Sequence, residues 1–273
     1  MIMGPTGTGK THIIGTLVDT GVEVFLLSLE SGMEALMGYY KDHGRPLPPN
    51  LHWHTMQLQM PGGYGKFAEN AALIGQSTYE AVCKIQDFSR SQNNQFEKLL
   101  RVMNKPVCQD CGKTFPPVDA WGPDRAIVID GFTGVCNFAM AAVVGMKPVR
   151  SKPDYGTSQP MVENFIRYTC DAAKCHFILL SHIERETDEV MGGSKITVSA
   201  LGQKLAPKIP PMFSDVILSV RNGKQWYWNT ADAFTDLKTR NLPIEEKIEP
   251  GFQQIIDKWM ARGGRFLPTV KTG

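Results

Sequence analysis

Three stretches of the chain are nearly continuous in apolar residues and end on a polar or acidic one. Val22 to Leu29 (V-E-V-F-L-L-S-L) runs into Glu30, Ala126 to Ile129 into Asp130, and His176 to Leu180 into Ser181-His182. Short runs without polar alternation predict strands buried on both faces of a parallel sheet. Helical spacing predicts helices from Thr11 to Thr20, after Gly32 to Tyr40, from Ser158 to Lys174 with Pro160 in the first turn, and from Gly251 to Arg262. Asp215 to Val220 and Gln225 to Trp228 predict two strands joined through Arg221-Asn-Gly-Lys224, since Asn-Gly favours a hairpin turn. Strands alternating with helices predict an α/β fold, with a mostly parallel sheet and helices on both faces.

Between about residues 45 and 120 this rhythm breaks. Leu51 to Met56 could be a strand, Pro61-Gly-Gly-Tyr-Gly65 has the composition of a mobile loop, and Phe67 to Met103 has the spacing of two helices. The stretch is expected to be an insertion into, or an elaboration of, the basic fold, and is read as an inserted subdomain. The core is then 1–44 and 121–245, with 246–273 as a C-terminal helix and tail. Gly131 to Tyr155 reads as a mixed segment carrying Lys147, Arg150 and Lys152, and Arg185 to Lys208 as a long loop containing Gly192-Gly193.

The sharpest chemical signal lies at the start. Gly4-Pro-Thr-Gly-Thr-Gly-Lys-Thr11 fits G-x-x-x-x-G-K-[ST], the phosphate-binding loop of ATP- and GTP-using proteins. Its glycines permit turns and close approach that side chains would block, and its N–H groups form a nest for phosphate oxygens. Lys10 can reach the β- and γ-phosphates, and the Thr11 hydroxyl can ligate Mg²⁺. Gly4, Pro5, Thr6, Gly7, Thr8, Gly9, Lys10, Thr11 and His12 make up the expected nucleotide-binding stretch, with a helix starting at about Lys10. Only Met1 to Met3 precede the loop, fewer than a feeding strand usually has, so either the natural chain starts late or residues are missing; no separate N-terminal domain is expected.

Two carboxylates follow at strand ends, where open α/β sheets bind ligands. Glu30 is placed to orient and deprotonate an attacking water, and Asp130 to hold Mg²⁺ opposite Thr11. The bland alternatives are a solvated loop glutamate and an ordinary buried strand ending in aspartate. Ser181-His182, at a third strand end, could sense the γ-phosphate. Leu237-Lys-Thr-Arg-Asn241 would project Lys238 and Arg240 to one side of a strand.

Cys108-Gln-Asp-Cys111-Gly has the spacing of a zinc knuckle. A complete site needs two more ligands, for which His52, His54, Cys136, Cys170 and Cys175 are available; two free thiols in a turn and a redox pair are the alternatives. Six cysteines in 273 residues, without a secretory signal, suggest a reducing cytosol. A net charge of +2 does not by itself indicate a nucleic-acid partner, and no run is long enough for a membrane span.

Taken in order, these motifs resemble the RecA/DnaB-type ATPases of the P-loop superfamily. Phe25-Leu-Leu-Ser-Leu-Glu30 is similar to their F-S-L-E, whose glutamate is the catalytic base, and Ile127-Val-Ile-Asp130 to their Walker B strand. Leu179-Leu-Ser-His182-Ile-Glu-Arg185 is similar to L-L-S-Q-L-N-R, with histidine at the sensor glutamine. Asp215-Val-Ile-Leu and Lys238-Thr-Arg240-Asn241 resemble D-V-V-L and the K-x-R-N finger that reaches a neighbour's ATP. The compact layout is closest in character to small bacteriophage RecA-like recombination and annealing ATPases. The resemblance implies a RecA-like P-loop NTPase core that hydrolyses ATP with Mg²⁺. It implies Glu30, Lys10, His182, Lys238 and Arg240 as catalytic residues, the last two acting in trans within a ring or filament. It implies single-stranded DNA as partner through loops 133–157 and 183–209, and the cytoplasm, a host's if phage-encoded, as location. A DnaB-like ring helicase, a slow nucleotide-dependent clamp and a P-loop kinase are the rival readings.

Overall fold

Alternate residues of the buried strands face two different cores. The computed structural model describes residues 1–30, 32–57, 63–85, 94–145, 147–187 and 194–265. Strands β1 (Ile2–Met3), β2 (Glu23–Ser28), β3 (Leu51–Thr55), β4 (Arg125–Asp130), β5 (His176–Ser181), β8 (Ile217–Asn222) and β9 (Gln225–Asn229) form one sheet in the order β3-β2-β4-β5-β1-β8-β9. All neighbours pair in parallel except β8 and β9, which form an antiparallel hairpin. The fold is therefore α/β with a mostly parallel sheet. A separate antiparallel pair joins β6 (Ile183–Thr187) to β7 (Ser194–Val198).

On one face Phe25, Leu27, Ile127, Ile129 and Leu179 pack with α5 (Gln95–Asn104), α6 (Phe132–Val144) and α7 (Lys152–Ala172). On the other, Val24, Leu26, Val128 and Leu180 pack with α1 (Ile14–Asp19), α2 (Met33–Asp42) and α8 (Gln253–Ala261). Helices thus cover both faces, and the central strands β2, β4 and β5 are apolar along nearly their whole length because each of their sides has a core to fill. Burying one such side chain stabilises the fold by about 1.5–3 kcal/mol relative to exposing it.

Several expectations shift. Residues 51–55, expected inside an insertion, form the edge of the main sheet, with Leu51 to Thr55 in register with Val24 to Ser28. Phe96, Leu99, Phe115, Val118 and Trp121 fill the same core as β2 and β4, so the stretch 45–120 is built onto the sheet. Two helices expected from Phe67 to Met103 are three among the described residues: α3 (Gly63–Gln76), α4 (Tyr79–Lys84) and α5. Gly63-Tyr64-Gly65 opens α3 rather than lying in a loop; Pro61, Gly62, Gly192 and Gly193 lie outside the described residues.

Gly131 to Tyr155 is mainly helix α6 and the start of α7, so the expected DNA-contacting loop 133–157 is not a loop. Of α6, Phe132, Val135, Phe138, Ala139 and Met140 are buried. Helix α7 starts at Lys152, six residues before expectation, because Ser151 and Asp154 form a capping box with Pro153 in the first turn. Pro160 therefore sits inside the helix. Much of the expected loop 183–209 is the β6–β7 ribbon followed by short 3₁₀ turns at Ala206–Lys208 and Pro210–Met212.

Candidate nucleotide site

Parallel pairing brings the chemically suggestive strand ends to one rim. Ser28 pairs with Asp130, Asp130 with Leu180, and Ser181 with Met3, immediately before the glycine loop. β5 lies between β4 and β1, so His182 emerges between the strand that ends in Asp130 and the glycine loop.

The loop follows from its glycines. Gly7 and Gly9 hold φ values of 77° and 79°, which residues with side chains rarely adopt. Lys10 is buried, and its Nζ donates 2.8 Å hydrogen bonds to the carbonyls of Gly4 and Pro5 rather than to a carboxylate. Burial lowers its pKa, opposed by the charges of Asp130 and Glu30. A buried ammonium held by neutral carbonyls is suited to an anionic ligand. The expected helix at Lys10 begins instead at Ile14; residues before it form tight turns, with Ile14 N–H donating to Thr11 and Gly15 N–H to His12. His12 packs edge-on against Tyr39, with ring centroids 5.0 Å apart.

Thr11 and Asp130 meet directly: Oγ1 donates a 2.7 Å hydrogen bond to Oδ2. Burial raises the Asp130 pKa; the Thr11 hydrogen bond opposes this, the Glu30 charge adds to it, and Lys10 and His182 oppose it. A hydroxyl and a carboxylate at this spacing, beside a lysine, fit the oxygen ligands Mg²⁺ prefers. Glu30 extends over Gly131, where an added Cβ would lie 2.6 Å from Oε1. Its Oε2 lies 3.1 Å from Nε2 of His182. That hydrogen bond is the main cause holding the Glu30 pKa below the usual carboxylate value, against partial burial and assisted by the charges of His182 and Lys10.

Lys10, Thr11, Glu30, Asp130 and His182 are thus brought together. Lys238 and Arg240 are not. They lie by the N-terminal end of β8, where Lys238 bridges Val216, Lys238 Nζ reaches the Pro211 carbonyl at 3.3 Å and Arg240 N–H donates to Asp215. Only an isolated bridge forms there, so the expected strand is absent because Asp215 instead draws the backbone of Arg240 and Asn241 into a turn.

Three supports of the loop escaped the sequence reading. Ser219 donates from Oγ to the Thr8 carbonyl at 2.8 Å. The half-exposed indole of Trp226 lies against Gly9, and its Nε1 is 3.4 Å from the Gly7 carbonyl. The Arg221 guanidinium stacks 5.7 Å from the Trp226 ring. The Asn222-Gly223 turn was the available signal, since it folds β9 back beside β8; strand order alone puts β8 next to β1.

At the opposite rim, Cys108 and Cys111 approach His52, and one ligand atom from each lies within 4.8 Å of the others. Burial raises the Cys108 pKa, but the N–H groups of Cys111, Trp53 and Asp110 facing its sulfur bring it below the ordinary thiol value. The other ligand candidates are elsewhere. His54 Nδ1 is 3.1 Å from the Val107 carbonyl, and burial pushes Cys136 and Cys175 up to about 12 and Cys170 up to about 11.

Neither a protein-family model nor a curated protein sequence matches this chain. No helix among the described residues is long and apolar enough to cross a membrane.

Proposed function

We propose that this chain is a Mg²⁺-dependent ATPase with a RecA-like P-loop core, coupled to single-stranded DNA in recombination or annealing. One observation carries the reading: Lys10, the Thr11–Asp130 pair and the Glu30–His182 pair converge on one rim from strands far apart in sequence. Loop amides and Lys10 hold the phosphates, and Lys10 exchanges the Gly4 and Pro5 carbonyls for phosphate oxygens. Thr11 and Asp130 would hold Mg²⁺, which neutralises phosphate charge. Glu30, kept ionised by its histidine partner, accepts a proton from water aimed at the terminal phosphorus. His182 links that carboxylate to the β6–β7 ribbon, where Arg185 is exposed for contacts to a nucleic-acid backbone and Lys195 is exposed in an ion pair with Asp236 that a phosphate would have to displace.

A slow clamp is the second reading. It applies if the chain does not assemble, because Lys238 and Arg240 lie away from Lys10 and a lone chain lacks the finger cations. ATP turnover measured without DNA, with single strands and with duplex separates the readings. Stimulation by single strands that disappears in Glu30→Gln is expected. Turnover indifferent to DNA favours the clamp, and the absence of nucleotide binding to the purified protein overturns both.

A further inference from the structure

We infer that His52, Cys108 and Cys111 form a three-ligand zinc site with Glu23 as its outer-sphere carboxylate. The inference is independent of the nucleotide reading, since β2 and β3 begin at the rim opposite Lys10.

The ligand geometry is already set. Zinc bonds of about 2.3 Å to sulfur and about 2.0 Å to nitrogen, at a tetrahedral angle, separate the two ligand atoms by about 3.5 Å. Cys111 Sγ lies 3.4 Å from His52 Nδ1. His52 is 3% exposed, and its other nitrogen, Nε2, has no hydrogen bond but lies 3.5 Å from Glu23 Oε1. A metal-bound histidine characteristically turns its second nitrogen to a carboxylate, which fixes its tautomer and orientation. Glu23 is itself held by Lys113 and Arg125. Three protein ligands leave one tetrahedral position open, which a water can take, as in zinc sites that keep an open fourth position.

The frame around these ligands is rigid. Cys108 N–H donates to the Lys113 carbonyl and Gly112 N–H to that of Cys108, closing the knuckle with Gly112 at φ 70°. The knuckle docks on the free edge of β3. Gln109 N–H donates to the Trp53 carbonyl, and the Gln109 side chain accepts from Thr55 N–H at 2.8 Å while donating to its carbonyl at 3.2 Å. Two sulfurs and one imidazole are thereby presented from two segments already joined, so metal binding pins residues 106–115 to the sheet edge. Two thiolates balance the ion's charge, and the protons they release pass to solvent.

The full chain, purified in reductant and reconstituted with zinc alone, should retain roughly one equivalent after desalting. Cys111→Ser, at an exposed position, should fold with an unchanged circular dichroism spectrum and lose the metal, while Cys83→Ser keeps it. Cobalt in place of zinc should give thiolate charge-transfer absorption in the wild type and none in Cys111→Ser. Glu23→Gln should weaken zinc by roughly 10–100-fold in a chelator competition. Equal zinc in the wild type and Cys111→Ser, or a cobalt spectrum without thiolate bands, overturns the inference.

Discussion

Oε2 of Glu30 and Nε2 of His182 sit 3.1 Å apart although 152 residues separate them in sequence. The contact depresses the Glu30 pKa, so the base form persists to lower pH than a free glutamate would allow. Removing the imidazole in His182→Ala should raise that pKa and move the acidic limb of the turnover profile to higher pH. Glu30→Gln should lower turnover roughly 10²–10⁴-fold while leaving nucleotide affinity nearly unchanged. Initial rates across pH, with binding measured alongside, check both. The linkage has a definite sign: the stability Glu30 gains from its depressed pKa is present above its unfolded value of about 4.3 and is lost as pH falls through the folded one.

Asp130 runs the other way. Its pKa is raised by burial, so the ionised side chain destabilises the ligand-free fold at neutral pH. Asp130→Asn keeps an oxygen for the Thr11 hydroxyl and removes the charge. It should melt higher than the wild type near pH 7, by about 2–4 °C for each kcal/mol relieved. The difference should vanish below about pH 4, where the unfolded aspartate is also protonated. The same variant should lose Mg²⁺-dependent turnover. Calorimetry across pH and a Mg²⁺ titration of rate test the two halves.

Trp226 braces the glycine loop from β9. Trp226→Ala should leave the buried cores untouched and loosen the loop. Nucleotide affinity should fall on the order of tenfold, equivalent to about 1.4 kcal/mol, with little change in melting temperature. Fluorescence or calorimetric titration with a non-hydrolysable analogue reads this directly. An unchanged affinity would assign the indole to the surface alone.

Lys238 and Arg240 can assist hydrolysis only from a neighbouring copy, because neither lies by Lys10 of the same chain. In a head-to-tail ring, Lys10→Ala and Arg240→Ala subunits should be inactive apart and partly active together. A random equal mixture restores up to about a quarter of interfaces. Activity that stays flat across mixing ratios would remove the trans role.

Much of this site was legible because its residues mark strand ends. Ala126 to Asp130 and His176 to Ser181 ended where the apolar runs did, since a strand buried on both sides needs a polar residue only at its rim. Helix α6 was not legible. It is apolar on nearly every side, so it shows none of the periodicity that identifies a helix with one wet face. The edge role of Leu51 to Thr55, and with it the meeting of His52 and Cys111, depends on which strand pairs with β2. Strand order is a tertiary fact that no local pattern encodes. Ser219 and Trp226 were hidden for the same reason.

His182 is followed at once by Ile183, the first residue of the β6–β7 ribbon. There is no slack chain between them to absorb displacement. A shift of the His182 backbone therefore passes undamped into the root of the ribbon, whereas a turn of the imidazole about its own side-chain bonds leaves the ribbon where it is.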